Sequence, residues 1–429
     1  MNPSRQPALR RELGLLDAVG IGLGAVMGAG VFVVTGVAAG VAGPAFLAGL
    51  AVAGIAAAFN GLSSAQLAAV YPQSGGTYEY GYRVVGPAAG FAAGWMFMAS
   101  KLAAAGTVAI GFGHYAAALI PGLAPVPAAV AAVILLTLAN LFGVKKAGAL
   151  NLAIVSLTLL SLGLFVVGGL PSFAAENLRP FAPHGWGGVA ESSALLFFAY
   201  TGYARLATLG EEVKEPEKTI PRAIVLTLVL SFVIYLAVGT VAVGGTGADA
   251  LAATRSPLEK AAGTFATPWI ARFLAVGAAT AMLGVLLSQI LGISRMMLAM
   301  ARRGDLPGFL AKVDGKRGVP ARGILLTGAI ALSLAWAGTL EVAIAAAAFT
   351  ILIYYAVTNL SAIRLPRARR LYAPWIAWAG LFTCLAMAAS LQFRTISAGL
   401  GLLAAGFIFR GVLHRLSPPD GKSSGSDVT

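Results

Sequence analysis

The sequence predicts an all-α polytopic membrane protein with twelve transmembrane helices. Three observations carry that expectation. Hydrophobic residues fill 58% of the 429 positions and charged residues only 11%, against about 25% charged in soluble domains. Apolar runs of about 20 residues, the length a helix needs to cross a bilayer, recur along the chain between short charged loops. The basic residues collect in alternate loops, as in a chain threaded back and forth through a membrane. The alternating segments of about 10 residues that mark a transmembrane barrel do not occur.

The apolar spans fall at roughly 15–38, 44–70, 86–120, 125–143, 148–170, 190–210, 222–244, 268–300, 321–338, 341–363, 372–391 and 395–414. The third and eighth exceed one perpendicular crossing, so tilt or protruding ends are expected. Between spans seven and eight, 246–267 reads as short surface helices. The tail "SPPDGKSSGSDVT" reads as disordered. Many of the 54 glycines suit close helix packing in lipid.

Twelve spans put both termini on one side, and charge says which. About 23 of the 30 Lys and Arg fall on the N-terminal side, including Arg83, Lys145, Lys146 and the basic residues of 295–322 and 364–370. The opposite loops hold Arg179, Arg255, Lys260, Arg272 and Arg394. Both termini are therefore expected in the cytoplasm, with the chain in the plasma membrane. The net charge of +14 follows from this topology and does not call for nucleic acid. The single Cys384 and the scattered His114, His184 and His414 form no metal-ligand spacing. No nucleophile–base constellation stands out, so no enzyme, metal or cofactor is expected.

Two spans are interrupted. "GAVMGAGVFVVTG" places Gly24, Gly28 and Gly30 inside the first. Each interior glycine costs about 1 kcal/mol relative to alanine. The sixth, "LLFFAYTGYARLATLG", is broken by Tyr200, Thr201, Gly202 and Tyr203. A broken helix leaves backbone groups without partners, which lipid tolerates only where they line a cavity or lie buried in protein. First and sixth correspond if the chain is two five-helix repeats plus two helices. Since five is odd, the second repeat is then inverted. Such paired interruptions are the best sequence pointer to a transport site. A half-helix starting after Gly30 offers free N–H groups to a carboxylate. One ending near Ala199 and Thr201 offers carbonyls to an ammonium. Together they fit an α-amino acid, the expected small-molecule partner beside the lipid bilayer itself.

Four motifs in order resemble the amino acid–polyamine–organocation superfamily: "GAGVF" (28–32), "YPQSGGTYEYGYRVVGPAAGFAAGW" (71–95), "FFAYTGYARLATLGEEVKEPEKTIPRAI" (197–224) and "SRMMLAMARRGDLP" (294–307). The last two look closest to the cationic-amino-acid-transporter branch and its bacterial relatives. The resemblance implies a LeuT-type five-plus-five inverted repeat with discontinuous helices 1 and 6. It implies a cytoplasmic segment 1–14, a first repeat 15–170, a second repeat 190–363, two additional helices 372–414 and a cytoplasmic tail 415–429. It implies substrate carboxylate on the backbone of Gly28, Ala29 and Gly30. It implies ammonium on the carbonyls of Val26, Phe198, Ala199 and Thr201, with Phe198 over the site and Gly202 at the second break.

Some positions depart from the family pattern. Thr158 stands where proton-linked members often carry a fifth-helix lysine. Its hydroxyl could ligate sodium, with Thr280 and Ser288 the nearest eighth-helix partners. Ser100 and Lys101 occupy a stretch where cationic-substrate members carry a glutamate, which argues against a lysine or arginine substrate. Lys101 lies near mid-membrane, where an ionisable group is a functional candidate; pairing or snorkelling is the plainer alternative. Arg205 follows the sixth-helix break and stays charged, as a structural clamp or as an anchor for an anionic side chain. Asp17 is expected as a helix cap or a partner for a loop arginine, and Glu211 and Glu212 as solvated charges.

The resulting expectation is secondary active transport of an amino acid, a neutral one, by proton symport, with sodium as the other possible coupling ion. The alternatives are an exchanger, a transporter of acidic amino acids or polyamines, and a membrane amino-acid sensor. Oligomeric state is not legible.

Overall fold

The computed structural model describes residues 13–71, 75–142, 147–208, 213–315, 317–337 and 339–416. Arg5, Arg10, Arg11, Lys145, Lys146, Glu211, Glu212 and Lys422 lie outside them, as does the tail from 417 on. Among the described residues the chain is helical, and its one extended pairing is an isolated parallel bridge between Leu13 and Val213.

The first expected span is α1 (Leu15–Val26), a break, a π-helical turn (Gly30–Val34) and α2 (Thr35–Ala42). A tight turn leads into α3 (Phe46–Val70), and the short α4 (Thr77–Tyr80) precedes α5 (Pro87–Leu119). Next come α6 (Pro125–Phe142), α7 (Ala147–Gly169) and α8 (Gly185–Tyr200), which passes into a 3-10 helix (Thr201–Thr208). The long α9 (Pro216–Thr246) is followed by the surface helices α10 (Ala248–Ala252) and α11 (Pro257–Ala262). The chain continues through α12 (Trp269–Arg302), α13 (Ala321–Ala337), α14 (Leu340–Ile363), α15 (Pro374–Ser390) and α16 (Phe393–Leu416).

Proline opens α5, α6, α9, α11 and α15, where its missing N–H costs nothing. Asp17 caps α1: its carboxylate accepts the Gly14 N–H at 2.9 Å. By length and composition, eight helical stretches among the described residues can cross a membrane. One of them, Leu15–Val70, holds two of the expected spans. The 17-residue α13 and α15 and the interrupted α8 account for the expected spans outside these stretches.

Leu135, Leu138, Phe382, Phe393 and Ile408 point outward, as side chains facing lipid would. Inside, small residues let helices approach: Ala53, Ala56 and Ala57 of α3 and Ala104 and Ala105 of α5 are buried. Some buried hydroxyls are satisfied within their own helices; Thr107 donates to Ala103 and Ser231 to Thr227. Helix α1 packs on α7, α9 and the 3-10 segment, α3 on α8 and α9, and α5 on α12 and α14. The two breaks thus lie inside the protein, beside α5 and α12.

Candidate substrate-binding site

At the first break α1 stops at Val26, and Met27 turns out of the helix (φ −76°, ψ 85°). The helix resumes at Gly30. At the second, α8 stops at Tyr200 and the chain tightens into its 3-10 segment. The two breaks touch. A Cβ on Gly30 would stand 2.6 Å from the Ala199 Cβ and 2.7 Å from its Cα. One on Gly202 would stand 2.3 Å from the carbonyl carbon and oxygen of Ala25. Glycine is required at both positions by contact. Gly24 has a different reason: a Cβ there would meet Asn151 and Val155 of α7 at 2.6 and 2.8 Å, so it serves helix packing.

A cavity of about 20 Å³ lies between the breaks, room for about one water molecule. Val26, Gly28, Ala29 and Gly30 line it from the first break, and Phe198, Ala199, Thr201 and Gly202 from the second. Lys101 lines it from α5. The structure therefore brings together nine of the residues singled out in the sequence. Thr158 and Arg205 do not join them. The Thr158 hydroxyl is buried and donates to its own helix at the Ile154 carbonyl, 2.7 Å away. The Arg205 guanidinium lies beside Gly292 of α12, away from the cavity lining. Ala25, Val108, Val285 and Gln289 complete the wall; as ordinary residues of apolar helices they carried no signal in the sequence.

The carbonyls freed by the breaks have donors. The Tyr235 hydroxyl, on α9, reaches the carbonyl oxygens of Val26 at 2.8 Å and Ala199 at 3.1 Å. Thr201 donates its hydroxyl to the Phe198 carbonyl at 2.8 Å. Tyr355 of α14 reaches the Thr201 carbonyl at 3.4 Å, and Tyr115 of α5 donates to Phe32 at 2.7 Å. Hydroxyls from three neighbouring helices thus satisfy what the breaks expose, as buried backbone requires. The Val26 carbonyl also accepts the Gly28 N–H at 3.0 Å, and the Phe198 carbonyl also accepts the Thr201 N–H.

At the α4 end of the bundle a polar cluster ties the loop before α5 to the segment after α12. The buried Asp305 carboxylate accepts from Tyr78 at 2.8 Å and from Tyr82, and pairs with Arg410 of α16 at 2.8 Å. Burial, and then the bonds to Asp305, push both tyrosine hydroxyls up. Glu79 pairs with Arg83 and, at 2.7 Å, with Arg303. Burial pushes the Glu79 carboxyl up, but its hydrogen bonds and charge contacts with Arg83 and Arg303 outweigh that and hold it low.

Comparison with known proteins identifies the family. A family model described as amino acid permease matches residues 17–407. An uncharacterized transporter of Mycobacterium tuberculosis is 42% identical over 411 residues, 94% of this chain and 91% of that protein. A branched-chain amino acid permease of Bacillus subtilis is 32% identical over 337 residues, 74% of this chain and 72% of the relative. A vacuolar cationic amino acid transporter of Arabidopsis thaliana is 30% identical over 352 residues, 76% of this chain and 58% of the relative. The chain is a multi-pass membrane protein and a transporter, not an enzyme, and it belongs to the amino acid permease family of the amino acid–polyamine–organocation superfamily.

Proposed function

We propose that the chain is a secondary active transporter that takes up a neutral α-amino acid together with a proton. The observation that carries this reading is the meeting of two helix breaks on one cavity lined by residues of both. The substrate carboxylate sits on the N–H groups of Gly28, Ala29 and Gly30, at the start of a half-helix. Its ammonium is held by carbonyls of Val26, Phe198, Ala199 and Thr201, with the Phe198 ring over it and Gly202 giving room for the approach. Lys101 is the ionisable side chain of the cavity wall and holds the coupling proton. Sodium is the alternative coupling ion, and the hydroxyl oxygens of Thr158 and Thr280, which donate to carbonyls of their own helices, are its candidate ligands.

Twelve transmembrane helices form two inverted repeats, 15–170 and 190–363, followed by the additional helices 372–414. Both termini, including 1–14 and 415–429, face the cytoplasm of a plasma-membrane protein. A cavity with room for one water molecule is the occluded stage of the cycle, and the helices of the breaks rock away from α5 and α12 to admit cargo.

The test is uptake of labelled amino acids into proteoliposomes under an imposed pH gradient, an imposed sodium gradient, or neither. Accumulation driven by the pH gradient alone is the expected result. Uptake only with internal amino acid would make the protein an exchanger, and uptake driven only by sodium would overturn proton coupling.

A further inference from the structure

Two polar side chains on the cavity take no part in satisfying the breaks. Lys101, on α5, is half-buried. Its ammonium lies 5.6 Å from the centre of the Phe97 ring. Among the described residues it makes no ion pair or hydrogen bond. Gln289, on α12, has its side-chain carbonyl oxygen buried with no hydrogen-bond partner among the described residues. Both line the same small cavity, with Val108 and Val285 as its apolar wall.

Their chemistries are complementary to one kind of guest. A protonated lysine only donates, and the glutamine oxygen only accepts. A guest group that meets both must accept from one and donate to the other. A primary carboxamide does so: its oxygen takes a Lys101 N–H and its nitrogen donates to the Gln289 Oε1. An aliphatic side chain leaves both unmet. A carboxylate serves Lys101 but sets its charge against the Gln289 oxygen. An ammonium or guanidinium faces Lys101 with like charge. A buried polar group left without a partner is penalised more than a made hydrogen bond is rewarded, so such a pair sorts substrates chiefly by rejection.

We propose that Lys101 and Gln289 are specificity-determining residues and that the cavity selects amino acids whose side chains end in a primary carboxamide, the glutamine and asparagine class. This rests on the transport reading above and names the side-chain class within it.

The experiment compares glutamine with methionine, which has similar length and lacks the amide, and with glutamate and arginine. Uptake into proteoliposomes and ligand-induced rise in melting temperature are both measured on the full chain. The variants Lys101→Met and Gln289→Leu each remove one partner. The readout is the ratio of glutamine to methionine affinity, so a loss of coupling in Lys101→Met does not mask it. The expected wild-type ratio is about tenfold or more, falling toward unity in each variant. An unchanged ratio in both variants, equal affinities in the wild type, or a preference for glutamate overturns the proposal. The wild-type panel decides even if a variant fails to fold. Uptake without a glutamine preference defeats this inference alone; no uptake and no melting shift with any amino acid defeats the transport reading with it.

Discussion

The hydroxyl of Tyr235 stands 2.8 Å from the carbonyl oxygen of Val26 and 3.1 Å from that of Ala199. One proton is shared between the ends of two broken helices that lie far apart in the chain. Replacing it by Tyr235→Phe leaves two buried carbonyls short of a donor while keeping the ring. The expected loss is about 1–3 kcal/mol of stability, seen as a lower melting temperature in detergent. An unchanged melting temperature would show that the phenol is not needed to close the breaks.

Gly30 and Gly202 are the points where the breaks touch. Gly30→Ala sets a methyl against the Ala199 side chain and Cα, and Gly202→Ala sets one against the backbone of Ala25. Overpacking of this kind costs about 1–3 kcal/mol. The backbone contact cannot rotate away, so Gly202→Ala is expected to be the more damaging. Gly163→Ala is the control. It lies within the regular helix α7 with no neighbour within 4 Å of the added methyl, and it is expected to leave stability unchanged or raised by up to about 1 kcal/mol. Equal melting temperatures for all three variants would remove the contact argument.

Asp305 is 1% exposed and paired with Arg410. Arg410→Gln leaves its carboxylate buried beside two tyrosine hydroxyls without a counter-ion, a change worth about 3–5 kcal/mol in comparable buried pairs. Asp305→Asn removes the charge from the other side. The double variant is expected to lose less than the two single losses added together. Simple additivity in a thermal-denaturation cycle would show that the pair is not coupled.

Glu79 provides a pH test. Its folded-state carboxyl is held low by Arg83 and Arg303 against the upward push of burial. The stabilisation is therefore present above the ordinary carboxylate range, about pH 4, and is lost as pH falls through the depressed value. Glu79→Gln is expected to melt below the wild type at pH 7, with the gap closing under acid. A gap that stays constant down to pH 3 would contradict this.

The breaks were legible because glycines and hydroxyls interrupt runs that are otherwise uniformly apolar. Lys101 was legible for the same reason, as a charge in a hydrocarbon-length segment. Helix extents were readable from apolar length alone: 125–143 was expected and Pro125–Phe142 is found. What could not be read was which way a residue faces. Thr158 and Arg205 sit in the right segments yet turn away from the cavity, and the apolar all-round helices carry no stripe that fixes a rotation. Tyr235 and Gln289 were missed because a lone polar group in a buried helix has many uses. Its role appears only when a partner such as Val26, 209 residues away in the chain, is brought alongside.

The bridge between Leu13 and Val213, in which Lys214 donates its N–H to the Leu13 carbonyl at 2.9 Å, joins the segment leading into α1 to the segment that follows the second break. Helix α1 also packs along the 3-10 turn after α8. The α1 arm of the first break and the 3-10 arm of the second are therefore tied together, and a displacement of one is expected to carry the other. A fluorophore placed just before α1 would report the displacement of both.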